Sequence, residues 1–289
     1  SAPKTIPAAP TVSVADNCGS SVLTASNFTG SLLWSNGATT ASITVTNAAT
    51  YTVTQTAANG CVSPQASGTS APKAVPAAPT VSVSDNCGNS VLTASNFTGS
   101  LLWSNGATTA SIAVSDAATY TVTQTETNGC ISPVASGTSA PKTIPAEPTV
   151  AVANNCGSSV LTASNFTGSL LWSNGATTTS ITVTDAATYT VTQTTANGCV
   201  SPVASVTSAP KTVPVAPTVS VADNCGNSVL TASNYTGSLL WSNAATTASI
   251  TVTNTATYSV TQTAANGCVS PVASATSAPK TIPIAMARP

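Results

Sequence analysis

The sequence predicts an all-β protein: a tandem array of four small β-sandwich domains, each closed by one disulfide. Three observations lead there. The segment Ser-Ala-Pro-Lys begins at Ser1, Ser70, Ser139 and Ser208 and returns at Ser277, a period of 69 residues without insertion or deletion. Within each period, short stretches alternate apolar and polar residues between turn signals. Each period also carries two cysteines. No segment shows helical periodicity of useful length.

The copies are close. The first two differ at 11 of 69 positions, mostly mildly, as in Ile6 against Val75 or Val62 against Ile131. The harsher changes are Gln65 against Val134 and Ala57 against Glu126. Solenoid units usually span about 20–50 residues. A longer unit suffices for a domain that buries its own core, yet is small enough to gain from a crosslink. The expected domains are residues 7–75, 76–144, 145–213 and 214–282. A junction fragment, residues 1–6, precedes them and a tail, residues 283–289, follows.

In the first copy, Pro10 opens a strand over residues 11–16, with Val12 and Val14 on one face. A leading proline suits an edge. Residues 17–20 turn. Residues 21–26 form the second strand, with Leu23 and Ala25 inward. After a turn at 27–30, residues 32–34 form the third strand and hold the copy's single Trp. Ser35-Asn36-Gly37-Ala38 contains Asn-Gly, the strongest short hairpin signal. Residues 41–46 follow, with Ile43 and Val45 inward. Residues 50–56 alternate most clearly, with Tyr51, Val53 and Gln55 on one face and threonines on the other. Residues 61–63 begin the last strand, which Pro64 demotes to an edge or a bulge. The expected core residues are Trp34, Trp103, Trp172 and Trp241 with Tyr51, Tyr120, Tyr189 and Tyr258. In the fourth copy Asn243-Ala244 replaces Asn-Gly. Alanine tolerates positive φ poorly, at a cost of about 1 kcal/mol. Either this turn is not a strict type I′, or the last copy accepts strain.

The eight cysteines alternate at spacings of 43 and 26 residues. There is no CxxC pair and no His, so a zinc site lacks ligands and a thiol nucleophile lacks a base. Disulfides remain, and they imply an oxidising, extracytoplasmic location. Pairing within copies (Cys18–Cys61, Cys87–Cys130, Cys156–Cys199 and Cys225–Cys268) uses every cysteine. Pairing across the linkers, 61 with 87 and so on, strands Cys18 and Cys268. Six strands running strictly up and down would put the first and fifth turns at the same end, which favours the in-copy bridge. An extra short strand at Thr39-Thr40 would spoil that parity. A bridge closing a loop of about 44 residues contributes on the order of 4 kcal/mol.

Charged residues make up only 4% of the chain, where roughly 25% is usual. Net charge is near zero, so no electrostatic footprint for nucleic acid or an anionic membrane exists. No apolar stretch approaches the ~18 residues of a membrane span. The acids do not recur as a pair: the series at position 16 runs Asp16, Asp85, Asn154, Asp223, and Glu126 and Glu147 have no counterparts. The chain is therefore expected to be no enzyme, with no cofactor and no metal. Calcium alone would need about six to eight oxygen ligands. The N-x-Thr triplets at Asn27, Asn96, Asn165 and Asn234 read as turn asparagines.

Every copy contains Leu-Trp-Ser-Asn, then Ala-Thr-Thr-x-Ser-Ile-x-Val, then a Tyr-x-Val-Thr-Gln-Thr strand, then Asn-Gly-Cys. This run resembles the Ig-like and SprB-like repeats of large Bacteroidota surface proteins. The resemblance covers about residues 10–69 and its equivalents. It implies an Ig-like sandwich, export by the type IX system, and a place in surface adhesins, gliding-associated filaments or spacer modules. In that class a cysteine before the second strand and the cysteine of Asn-Gly-Cys often occur together, matching Cys18 and Cys61.

The expected function is an extracellular structural or adhesive array, a semi-rigid stalk or filament, with proline-stiffened junctions. At about 3.3 Å per strand residue each domain would be roughly 30–40 Å long. The array has one junction segment more than it needs, at residues 1–6 or from Ser277 on. That orphan could add as a strand to a neighbouring copy, giving self-association head to tail. The alternative is a carbohydrate-binding adhesin or a spacer of a larger secreted protein. A solvent-exposed Trp series would favour polysaccharide, and a buried one would sink it.

Overall fold

The alternation becomes six strands per repeat. In the first repeat they are β1 (Thr11–Asn17), β2 (Ser20–Ser26), β3 (Ser31–Trp34), β4 (Ser42–Val45), β5 (Thr50–Thr56) and β6 (Ala66–Thr69). The same set recurs three more times, ending at β24 (Ala273–Thr276). The computed structural model describes residues 3–281, and the predicted tail 283–289 lies outside them. The chain divides into two units, Ser1–Thr143 and Ile144–Pro289, with two repeats in each.

Each repeat is a pair of three-stranded antiparallel sheets, ordered β1-β2-β4 and β3-β5-β6 in the first. These are four Ig-like β-sandwiches, and the fold is all-β. Register follows from the pleat: Leu23 of β2 lies opposite Val14 on one side and Ile43 on the other. The inward set Leu23, Ala25, Leu32, Trp34, Ile43, Val45 and Val53 forms the buried core. Val12, Phe28 and Tyr51 pack against its margin. Outward hydroxyls pair across strands, as Thr50 Oγ1 with Thr69 Oγ1 at 2.9 Å and Thr24 Oγ1 with Ser42 Oγ at 2.9 Å. Such pairs give a polar surface without charge.

Trp34 is only 1% exposed, and its indole N–H donates to the Thr40 carbonyl at 2.9 Å. That bond depends on the hairpin between them. Gly37 N–H donates to Trp34 O and Trp34 N–H to Ala38 O. Gly37 has φ +84°, while Asn36 is not left-handed. The turn is thus a type I turn closed by one left-handed residue, rather than a type I′ turn. In the fourth repeat Ala244 takes φ +66° and keeps the Trp241 bond. A β-carbon at the Gly37 position meets nothing within 4 Å. The strain is therefore in the backbone and not in packing.

This hairpin also changes the direction count. Thr29 and Gly30 N–H both donate to Gln55 Oε1, which joins the start of β3 to the end of β5. Thr11 at the start of β1 faces Ser26 at the end of β2. Strand β4 runs antiparallel to β2, so β3 and β4 run in the same direction. The chain travels back between them through residues 38–41, where Ala25 N–H donates to Ala41 O. The first turn, with Cys18, and the fifth, with Cys61, consequently lie at opposite ends of the sandwich. The last strand also shifts. Val62 makes one bridge to Thr56, and the ladder resumes only at Ala66 opposite Val53. Pro64, without an N–H, sits in the gap.

Replacing Ala244→Gly should raise the stability of the fourth repeat by about 1 kcal/mol, seen as a higher denaturation midpoint. Gly37→Ala should lower that of the first repeat by a similar amount. Equal midpoints would show that the turn relaxes.

Candidate functional site

Several residues that recur in every copy meet at the junctions. Ser70 of the Ser-Ala-Pro-Lys segment is 1% exposed. Its hydroxyl donates to Asn47 O at 2.6 Å and accepts from Ala49 N–H at 3.1 Å. Ala71 N–H donates to Asp16 Oδ1 at 2.9 Å. Lys73 N–H donates to Asn17 O, and Lys73 O accepts from Gly19 N–H. Up to Lys73, then, the junction belongs to the preceding repeat.

From the next residue it belongs to the following one. Asn128 Nδ2 donates to Ala74 O at 3.0 Å, and Gln124 Nε2 to Ala77 O at 2.8 Å. Gln124 is 2% exposed, and its Oε1 accepts from Thr98 and Gly99 N–H. One buried amide thus ties the junction to the loop entering the third strand of that repeat. Asn128 Oδ1 meanwhile accepts from Cys130 N–H at 2.9 Å, which aims Cys130 at the junction. Val75 settles on the turn of the first repeat, 3.4 Å from where a β-carbon on Gly19 would stand.

Cys18 and Cys130 therefore flank the same short segment from opposite sides, and they are bonded, with Cα atoms 5.6 Å apart. Cys156 and Cys268 are bonded in the same way in the second unit, with the same sequence separation of 112. Cys87 and Cys199 are also in disulfides. Cys61 and Cys225 are free. The expected in-copy bridges Cys18–Cys61, Cys87–Cys130, Cys156–Cys199 and Cys225–Cys268 do not form. The return run through residues 38–41 breaks the strand parity, so Cys18 and Cys61 stand a whole sandwich apart. The bridges staple consecutive repeats instead of sealing each one.

The Asp16 series is a junction acceptor. Ser21 Oγ donates to Asp16 Oδ1 at 2.5 Å beside the Ala71 bond. The Ser21 hydroxyl, then the Ala71 N–H, hold this carboxyl below its ordinary 3.8; desolvation opposes them, and the Lys73 charge adds the least. Asp85 and Asp223 are lowered by the equivalent groups. Asn154 fills the role with its amide oxygen, accepting from Ser159 Oγ at 2.6 Å and Ala209 N–H at 3.1 Å. An acceptor is needed there, and a charge is not.

No cluster of three or more His, Cys, Asp or Glu occurs among the described residues. No helix among them is long and apolar enough to cross a membrane. A shallow hollow in the second repeat is lined by Pro76, Asn96, Thr98, Gln124, Glu126 and Asn128. Glu126 accepts from Thr98 Oγ1 and has no second carboxylate beside it in the hollow. Trp103, Trp172 and Trp241 are each 2% exposed, like Trp34 near the bottom of the core. The Trp series therefore offers no platform for a sugar ring. Tyr51, Tyr120, Tyr189 and Tyr258 pack at the core margins. Asn27 and its equivalents have φ near +58°, and Asn27 Nδ2 donates to Thr11 Oγ1, as turn residues.

What alternation and turn signals do not reveal is the junction role of Gln55, Asn59 and Ser70 with their equivalents. Their signal was polar identity held at fixed positions in all copies.

No protein-family profile matches the chain, and no curated protein matches it. Among solved structures, the ICAM-5 D1–D4 ectodomain fragment aligns over 96% of this chain and 98% of its own, at 11% identity and TM-score 0.38. Domains A168-A170 of titin align over 71% and 98%, at 16% identity and TM-score 0.25. A bacterial ice-binding adhesin aligns over 70% and 96%, at 15% identity and TM-score 0.29.

Peptide mapping without reduction should recover Cys18 linked to Cys130 and no Cys18–Cys61 peptide. The carboxylate contacts set a pH window. A pKa lowered in the folded state means stabilisation that is complete above the unfolded value and fades as pH falls through the folded one. Below pH 3.8, the Ala71, Ala140 and Ala278 amides should lose hydrogen-exchange protection. Ala209, bonded to Asn154, should keep its protection. Equal loss at all four would discard the carboxylate explanation.

Proposed function

We propose that this chain is an extracellular structural or adhesive repeat protein, serving as a semi-rigid stalk or filament on a cell surface. The observation that carries the proposal is the Cys18–Cys130 bridge between consecutive repeats. A bridge inside a domain stabilises that domain. A bridge between domains removes freedom at the hinge, which is what a load-bearing or spacing array needs. The junction hydrogen bonds act in the same direction, since Lys73 is held by one repeat and Ala74 by the next. Disulfide-bonded Ig-like domains favour an oxidising compartment outside the cytoplasm. The Leu-Trp-Ser-Asn and Asn-Gly-Cys motifs, which resemble those of Bacteroidota surface repeats, support this reading.

A spacer within a larger secreted protein is the second reading, and the same stapled junction favours it. Stacking of polysaccharide on the Trp series is set aside because those rings are buried. Strand addition between copies also has little to work with. Described residues of both end segments already bond their own repeats: Thr5 O accepts from Asn59 Nδ2, and Lys280 pairs with Asn224 and Gly226.

Electron microscopy and small-angle scattering test the proposal. Oxidised protein should give extended, stiff particles about 150 Å long at the strand rise, or unbranched fibres built from them. Reduction should leave the β-sheet circular dichroism nearly intact while the particles become flexible. Compact particles, or equal flexibility before and after reduction, would reject the stalk reading.

A further inference from the structure

We propose that Cys61 and Cys225 are the two halves of an intermolecular disulfide that joins copies of this chain head to tail. The inference rests on the stalk reading and extends it to covalent assembly. The pairing rule is visible inside the chain. The first cysteine of a repeat bonds the second cysteine of the next, 112 residues on, at Cys18–Cys130 and at Cys156–Cys268. Cys225 is a first cysteine in the last repeat, and Cys61 is a second cysteine in the first repeat. Within residues 1–289 neither finds the partner that the rule asks for, and a second copy of this array offers each of them one. They are also the two cysteines that are free.

The surroundings of both are already arranged as half-junctions. Beside Cys225, Lys280 N–H donates to Asn224 O and Lys280 O accepts from Gly226 N–H. These are the bonds that Lys73 makes beside Cys18. Ala278 N–H donates to Asp223 Oδ1 at 3.0 Å, as Ala71 does to Asp16. At the other end, Cys61 N–H donates to Asn59 Oδ1, and Asn59 Nδ2 to Thr5 O. Gln55 Nε2 donates to Ala8 O. These bonds match those of Cys130, Asn128 and Gln124 around Ala74 and Ala77. The contact between copies would therefore follow an ordinary junction with a chain break, Lys280 of one copy standing beside Thr5 of the next while Thr281 of the first and Lys4 of the second turn aside. Among the bonds of the described residues, the one from Lys4 Nζ to Asn59 O would be given up.

Burial supplies an independent sign of a missing neighbour. Cys130 and Cys268 are fully buried, whereas Cys61 is only partly covered. Ile6 is 65% exposed, whereas its equivalents Val75 and Val213 are 45% and 39% exposed. Val75 and Val213 rest on the Gly19 and Gly157 turns of the preceding repeats. The turn at Gly226 of a preceding copy offers Ile6 the same seat. The occupant fitted by both ends is a second copy of this chain.

The chemistry is thiol–disulfide exchange with a disulfide oxidant. The Cys61 thiolate attacks the oxidant, forms a mixed disulfide and releases one thiol. The Cys225 thiolate of the other copy then attacks the Cys61 sulfur, and the second thiol leaves. Two protein thiols are oxidised to one disulfide, and one oxidant disulfide is reduced to two thiols.

The test is incubation of purified protein with oxidised glutathione, followed by electrophoresis without reductant. A ladder of covalent multimers should form and collapse on reduction, and its linked peptide should be Cys61–Cys225. Cys61→Ser and Cys225→Ser should each stay monomeric alone. Mixed together they should give a dimer and nothing longer. Both thiols remaining glutathionylated or free in monomers would overturn the proposal, as would Cys61–Cys61 or Cys225–Cys225 peptides. Particle shape reports separately: stiff monomers without a ladder leave the stalk reading standing, and a ladder of flexible chains removes it.

Discussion

The hairpin after Trp34 sets the polarity of every repeat. A left-handed residue at Gly37 turns the chain back so that Thr40 can cap the Trp34 indole. Residues 38–41 then run toward the end from which β3 came, before β4 begins. Without that return run, six alternating strands would bring both cysteines of a copy to the same end. With it, each sandwich has one cysteine at its leading end and one at its trailing end. A domain built this way cannot seal itself, but it can be stapled at both ends.

The junction uses that polarity. A proline-containing segment too short to bury anything itself is pinned by Ser70, Lys73 and the Asp16 carboxylate on one side. On the other side a buried glutamine and an asparagine hold it. Buried polar groups are costly unless paired. Gln124 has its amide nitrogen and its oxygen bonded to two separate segments, Ala77 on one and Thr98 with Gly99 on the other. That full pairing makes the junction geometry specific, and the disulfide then locks it. Substitution of Asn154 for aspartate shows that the site selects an acceptor oxygen and tolerates loss of charge. This accounts for an acid series that looked broken when only charge was considered.

Much of the sandwich was legible because its signals are local. Alternation of Val, Ile and Leu with Thr and Ser fixes which face of a strand is buried, and Leu23, Trp34, Ile43 and Val53 all turn inward as their spacing requires. Ala244 in place of Gly pointed to strain at a turn, and the positive φ is there. The last strand was displaced because Pro64 interrupts the ladder and only a small residue, Ala66, marks where it resumes. Gln55 was correctly set on the inner face, but its partners Ala8 and Thr29 are distant in sequence.

The sequence by itself determined the repeat, the strands, their inner faces and the oxidising chemistry of the cysteines, because each depends on neighbours a few residues away. The pairing of those cysteines was decided by tertiary structure. It depends on the direction in which each strand runs, and one aperiodic return run of residues 38–41 reverses that count. A pattern of period two records which side of a strand faces the core, and it carries no record of which end of the domain a turn occupies.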